Sequence, residues 1–168
     1  TGSSIPITWR DELCWAWMSE WRFFQEDDLD WIVKTTREMF KESEWKDGKY
    51  DEDKVKQYFY HVIDQPTLMF GAIGLKDEER AGFMTGQVGE FSFMKTKFAR
   101  ESDLFVLPKY RGSQVAITLM KKFIEWAKGM KAKEVYLQPA TNGKLDRFDA
   151  MAKRLGMEIV SKTYRKKL

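Results

Sequence analysis

Residues 98–130 read FARESDLFVLPKYRGSQVAITLMKKFIEWAKGM, and this stretch decides the fold. Its opening, residues 98–107, is apolar and of strand length, Pro108, Lys109 and Tyr110 turn the chain, and Arg111, Gly112 and Ser113 lead into a long helix. The helix has a 3.6-residue period, with Ala116, Leu119, Met120, Phe123, Ala127 and Met130 on one face and Lys121, Lys122, Glu125 and Lys128 on the other. A strand that runs straight into a helix leaves the first backbone N–H groups unpaired at the positive end of the helix dipole, which favours phosphate. The same order occurs in any α/β domain, so the remainder of the chain has to carry the functional reading.

Upstream, a short strand over residues 21–25 precedes a helix opened by Glu26, Asp27 and Asp28, whose charges suit a helix N-terminus. Leu29, Ile32, Val33, Thr36, Met39 and Phe40 sustain that helix until Lys46, Asp47 and Gly48 stop it. Residues 51–64 form a second helix with Val55, Tyr58, Phe59, Val62 and Ile63 inward, which leaves His61 on the surface. Residues 67–75 are a nearly continuous apolar strand, Lys76, Asp77, Glu78 and Glu79 make a charged hairpin turn, and residues 81–88 return. Beyond the long helix, residues 134–138 read as a parallel strand reached by a crossover, 144–155 as a helix ended by Gly156, and 157–164 as a closing strand. This order is that of an α/β domain on a central mixed sheet with about four helices.

The 168 residues make one domain, large enough to bury about 70% of the unfolded surface without staples. A single cysteine, Cys14, and a single histidine, His61, exclude a disulfide framework and a zinc cluster, so no metal is expected and a reducing, cytoplasmic setting is. No apolar run approaches the roughly 20 residues of a membrane span, and nothing at the N-terminus reads as a signal peptide. The net charge of +3 hides an asymmetry: residues 1–108 carry 14 Lys and Arg against 21 Asp and Glu, a net of −7, and residues 109–168 carry 15 against 5, a net of +10. Two ligands of opposite charge fit that split, and so does a solvated basic tail. Residues 1–17 read as an N-terminal extension or an added lead, with Met18 a natural start. Trp9, Leu13, Trp17 and Trp21 recur every four residues, a helical stripe for packing on the domain or on a second copy.

Residues 106–116, Val-Leu-Pro-Lys-Tyr-Arg-Gly-Ser-Gln-Val-Ala, resemble the acetyl-CoA signature of the GNAT N-acetyltransferases, whose core is Arg/Gln-x-x-Gly-x-Gly/Ala. Arg111 and Ala116 match that core, and Gln114 stands where the family has glycine, a loosening similar to that of some bacteriophage members. With the element order, the resemblance covers about residues 18–168 as a single GNAT-like domain. It implies that pantetheine lies between splayed fourth and fifth strands against the backbone of Leu104, Phe105 and Val106. Arg111, Gly112, Ser113, Gln114, Val115 and Ala116 then cradle the pyrophosphate, and Asn142 adds a polar contact. The family commonly admits its acceptor at the loop between the first two helices, which makes Trp45 and Tyr50 substrate candidates.

The implied activity is transfer of an acetyl group from acetyl-CoA to a primary amine, on a small molecule or a protein lysine. The family's tyrosine acid falls at Ala152, so that acid is absent. The nearest carboxylates for a base are Glu101 and Asp103, which could equally be the solvent-facing side of a strand alternating with Leu104 and Val106. The expected partners are acetyl-CoA and an amine acceptor, with a second copy of the chain open and neither membrane nor nucleic acid expected. For a phage protein the setting is the host cytoplasm. A non-catalytic interaction or assembly protein of the same fold is the alternative.

Overall fold

The computed structural model describes residues 20–138 and 145–168. Five strands form one sheet in chain order: β1 (Glu20–Phe23), β2 (Met69–Lys76), β3 (Glu79–Glu90), β4 (Lys97–Val106) and β5 (Glu134–Tyr136). Neighbours are antiparallel except β4 and β5, which are parallel because α3 (Val115–Gly129) crosses over between them. The other described helices are α1 (Leu29–Glu42), α2 (Glu52–Asp64) and α4 (Leu145–Arg154). The residues 1–17, Met18 and Asn142 of the sequence reading lie outside the described residues.

Alternation along the strands divides the core into two layers. Ile73, Phe83 and Phe105 face α1 and α2, where they meet Leu29, Ile32, Val33, Phe59 and Val62. Phe70, Ala72, Met84 and Ala99 face α3, meeting Val115, Leu119, Phe123 and Ala127. Of the expected α3 stripe, Leu119, Met120, Phe123 and Ala127 are buried, joined by Val115 and Thr118, whereas Ala116 and Met130 are only half-buried. At the sheet's first edge a fully buried carboxylate fastens the layers. Asp28 takes a bidentate Arg22 guanidinium at 2.5 and 2.6 Å, Arg80 Nε at 2.8 Å and the Gln25 N–H at 2.9 Å.

Two features of the far edge shape the site. Thr85 of β3 pairs with Asp103 and the next residue, Gly86, pairs with Glu101, so Ser102 is an extra residue, a β-bulge in β4. The β4/β5 ladder holds for three pairs only, Phe98 with Glu134, Ala99 with Val135 and Arg100 with Tyr136, and β4 runs on for six residues beyond it.

Residues 157–164, expected as a closing strand, form none, and Ile159, Val160 and Tyr164 on them are exposed. Ile159 and Val160 are adjacent, which breaks the period-two pattern a half-buried strand needs. Among the described residues the sheet ends at β5, and Arg165 of the tail pairs with Glu44 after α1.

Candidate active site

The bulge at Ser102 separates two carboxylates that simple alternation would put on one face. Glu101 lies opposite Gly86, where an added Cβ would sit 2.4 Å from Phe123 of α3, so Glu101 belongs to the α3 face. Asp103 lies opposite Thr85 and shares its side with Phe105, on the α1/α2 face. Neither is the solvent-facing side of a strand: Glu101 is 7% exposed and Asp103 half-buried.

Glu101 stands at the fork where β4 and β5 part. Its Oε2 accepts the Gln138 backbone N–H at 2.8 Å, and its Oε1 has no partner among the described residues. Burial pushes its pKa up to about 7; the Gln138 bond opposes the shift and the Asp103 charge adds to it. Asp103 Oδ2 accepts the Thr85 hydroxyl at 3.0 Å, and Thr85 Oγ1 accepts the Tyr58 hydroxyl of α2 at 3.1 Å. Burial raises the Asp103 pKa against the Thr85 bond, which lowers it.

Past the fork, the edge of β4 that β5 has left, along Leu104, Phe105 and Val106, pairs with no strand among the described residues. Leu104 packs toward α3 and Phe105 is buried under α1 and α2. The Val106 carbonyl accepts Arg111 Nε at 2.9 Å. Pro108 sets a 3-10 turn, and the chain enters α3 through Gly112, whose φ of +88° suits glycine and whose missing side chain would meet nothing within 4 Å. Ser113 Oγ donates to the Tyr110 carbonyl at 2.6 Å and accepts the Val115 N–H at 3.4 Å. The N–H groups of Gly112, Gln114, Ala116 and Ile117 have no partner among the described residues. Gln114 has φ −80° and ψ 0°, a conformation open to any residue, and its side chain is exposed. The turn thus offers open amides without needing glycine at 114. Arg111 turns away from them: its NH2 pairs with Glu42 of α1 at 2.7 Å and its guanidinium lies 5.3 Å from the Phe105 ring centre.

The family model described as acetyltransferase (GNAT) family matches residues 10–157 of the chain. The chain belongs to this family. An uncharacterized N-acetyltransferase of Archaeoglobus fulgidus is 33% identical over 137 residues, covering 78% of this chain and 89% of that protein. Among solved structures, an integron cassette protein from the mobile metagenome of Cole Harbour Salt Marsh has a TM-score of 0.71 at 14% identity, over 88% of this chain and 89% of that one. AAC(6')-Iy in complex with the bisubstrate analog CoA-S-monomethyl-acetylneamine has a TM-score of 0.69 at 15% identity, over 89% and 98%. These two establish the shared GNAT fold.

Within this GNAT chain, Trp45 is 58% exposed on the loop after α1. Tyr50 gives its hydroxyl to the Val33 carbonyl at 2.9 Å and lies against Phe40 and Arg37, so it pins the loop to α1. A surface cleft of about 400 Å³ lined by Lys49, Tyr50, Asp51, Glu52 and Asp53 adjoins it and includes neither β4 carboxylate. Ala152 is half-buried on α4, and Tyr58 is joined to Asp103 through the Thr85 hydroxyl. Tyr58 and Thr85 escaped the sequence reading as site residues, although a threonine in the apolar run AGFMTGQV was the available signal. No described helix is long and apolar enough to cross a membrane, and no group of metal-ligating side chains occurs among the described residues.

Proposed function

We propose that the chain transfers an acetyl group from acetyl-CoA to a primary amine, with Glu101 as the base. The observation that carries this reading is the buried Glu101 carboxylate at the β4/β5 fork, one oxygen held by Gln138 and the other unpartnered. The residues present fit the coenzyme: the N–H groups of Gly112, Gln114, Ala116 and Ile117 suit phosphate, and the open edge of β4 along Leu104, Phe105 and Val106 suits the amides of a pantetheine arm. When bound, acetyl-CoA supplies an activated acetyl group as a thioester. Ser113 and Val115 shape the cradle from within, and Arg111 braces it against Glu42.

A base near neutrality is matched to removing a proton from an ammonium group at physiological pH. Glu101 Oε1 accepts that proton, directly or through one water, while the Gln138 bond keeps the carboxylate in place. Ala152 supplies no acid for the departing sulfur, whose proton comes from solvent. The net of −7 over residues 1–108 favours a cationic acceptor arriving beside Trp45 and the Tyr50 loop. Isothermal calorimetry with acetyl-CoA, followed by a thiol-release assay across small amines and lysine peptides, tests the reading. Absence of coenzyme binding at millimolar concentration refutes it.

A further inference from the structure

We propose that Asp103 is the ammonium-holding carboxylate of the acceptor site and that Tyr58 and Thr85 position it. This inference rests on the acetyl-transfer reading and assigns the second carboxylate of β4 a task separate from that of Glu101. The bulge sends the two acids to opposite faces, so one side chain cannot replace the other by a small rotation. Asp103 faces α2, and the run Tyr58 to Thr85 to Asp103 is polarised in one direction, each hydroxyl donating toward the carboxylate. Thr85 is fully buried among Phe59, Phe83 and Phe105, an apolar setting that a threonine occupies at a cost unless its hydroxyl is used. Here the hydroxyl is used to fix Oδ2.

Asp103 Oδ1 has no partner among the described residues and is not a fully buried unpaired atom. With Oδ2 committed to Thr85, the carboxylate offers one free oxygen, which suits the point charge of an ammonium better than the two-pronged fork of a guanidinium. The titratable groups around Asp103 are Tyr58 from α2 and Glu101 from β4; β3 contributes the Thr85 hydroxyl. No lysine or arginine neutralises it, so a cationic acceptor is the counter-ion the site lacks among the described residues.

The test follows the Asp103 side-chain carboxyl by 13C NMR in the full chain, free and with CoA, the signal being assigned by its loss in Asp103→Asn. n-Butylamine, protonated at the working pH, is the probe. It should shift the Asp103 signal saturably, and its affinity should fall about tenfold in Asp103→Asn, the usual scale for losing a hydrogen bond to a charged group. Thr85→Val and Tyr58→Phe should each weaken the probe about threefold. Thr85→Val should also move the Asp103 titration to higher pH, since it removes the bond that favours the charged form. Thr85→Ser, which restores the hydroxyl, should return both quantities to the wild-type range. A merely structural threonine would not shift the titration midpoint and regain it with serine. The proposal is overturned if Asp103→Asn binds n-butylamine as wild type does, or if the midpoint is indifferent to Thr85→Val. Failure of CoA to bind refutes the acetyl-transfer reading instead, because the free protein still reports the probe and the titration.

Discussion

Glu101 Oε2 accepts the Gln138 N–H at 2.8 Å beyond the last β4/β5 pair, so a buried carboxylate, and not a ladder, spans the mouth of the fork. With the Glu101 pKa near 7, its charged form is the active one and kcat/KM should rise with pH through that value. Glu101→Gln keeps the shape and the acceptor for Gln138 but removes the basicity. Turnover should fall by about 10² with coenzyme affinity unchanged, and the limb near pH 7 should vanish. Steady-state kinetics from pH 5.5 to about 9 read both.

The same group makes a stability prediction. A carboxyl whose folded pKa is raised stabilises the fold below its ordinary pKa, and that contribution is lost as pH rises through about 7. Glu101→Gln should therefore be more stable than wild type at about pH 8, by about 2 kcal/mol, with the gap closing toward about pH 5. Urea melts at the two pH values decide it, and an equal gap at both would contradict the burial argument.

Asp28 has the opposite sign. Burial works against its charge, but the Arg22 guanidinium, the Gln25 N–H and Arg80 together hold its carboxyl below the usual range. Its contribution is present above the ordinary carboxyl pKa and is lost as pH falls through the lowered folded value. Asp28→Asn leaves two guanidinium groups without their counter-charge and should cost about 3 kcal/mol at neutral pH, seen as a lower midpoint in denaturant.

Gly86 sits opposite Glu101, and a Cβ there would fall 2.4 Å from Phe123 Cε2 and 2.9 Å from the Arg100 carbonyl oxygen. Gly86→Ala should destabilise by about 2 kcal/mol through overpacking, a fall of about 5 °C in Tm by calorimetry for a chain of this size. Under the proposed mechanism acetyl transfer should drop as well, because the Arg100 carbonyl that must shift directly precedes Glu101 on β4.

At the cradle, Ala116→Arg places a long side chain among the open amides and should abolish the coenzyme-induced thermal shift while the Tm of the free protein stays near wild type. In wild type, coenzyme at 100 times its Kd should stabilise the fold by about 2.7 kcal/mol. Gln114→Gly should change affinity little, since the backbone at 114 has no need of glycine.

The element order through α4 was legible in the sequence because each element carries its own local signal. Residues 69–75 are apolar without interruption, α3 repeats every 3.6 residues, and Asp51 caps α2 by accepting the Lys54 N–H. The strand-turn-helix at 98–130 predicted the open amides at the start of α3, since these follow from chain order alone. Residues 157–164 misled because β-propensity without a paired neighbour does not make a strand. Where Glu101 and Asp103 point was decided only in three dimensions. Their spacing of two predicted one face, and the extra residue at Ser102, fixed by the register of β4 on β3, turned them to opposite faces. The partners that define them, Gln138 for one and Thr85 with Tyr58 for the other, lie 37, 18 and 27 positions apart along the chain in their respective bonds. Contacts of that separation arise from sheet pairing and helix docking, to which local periodicity is blind.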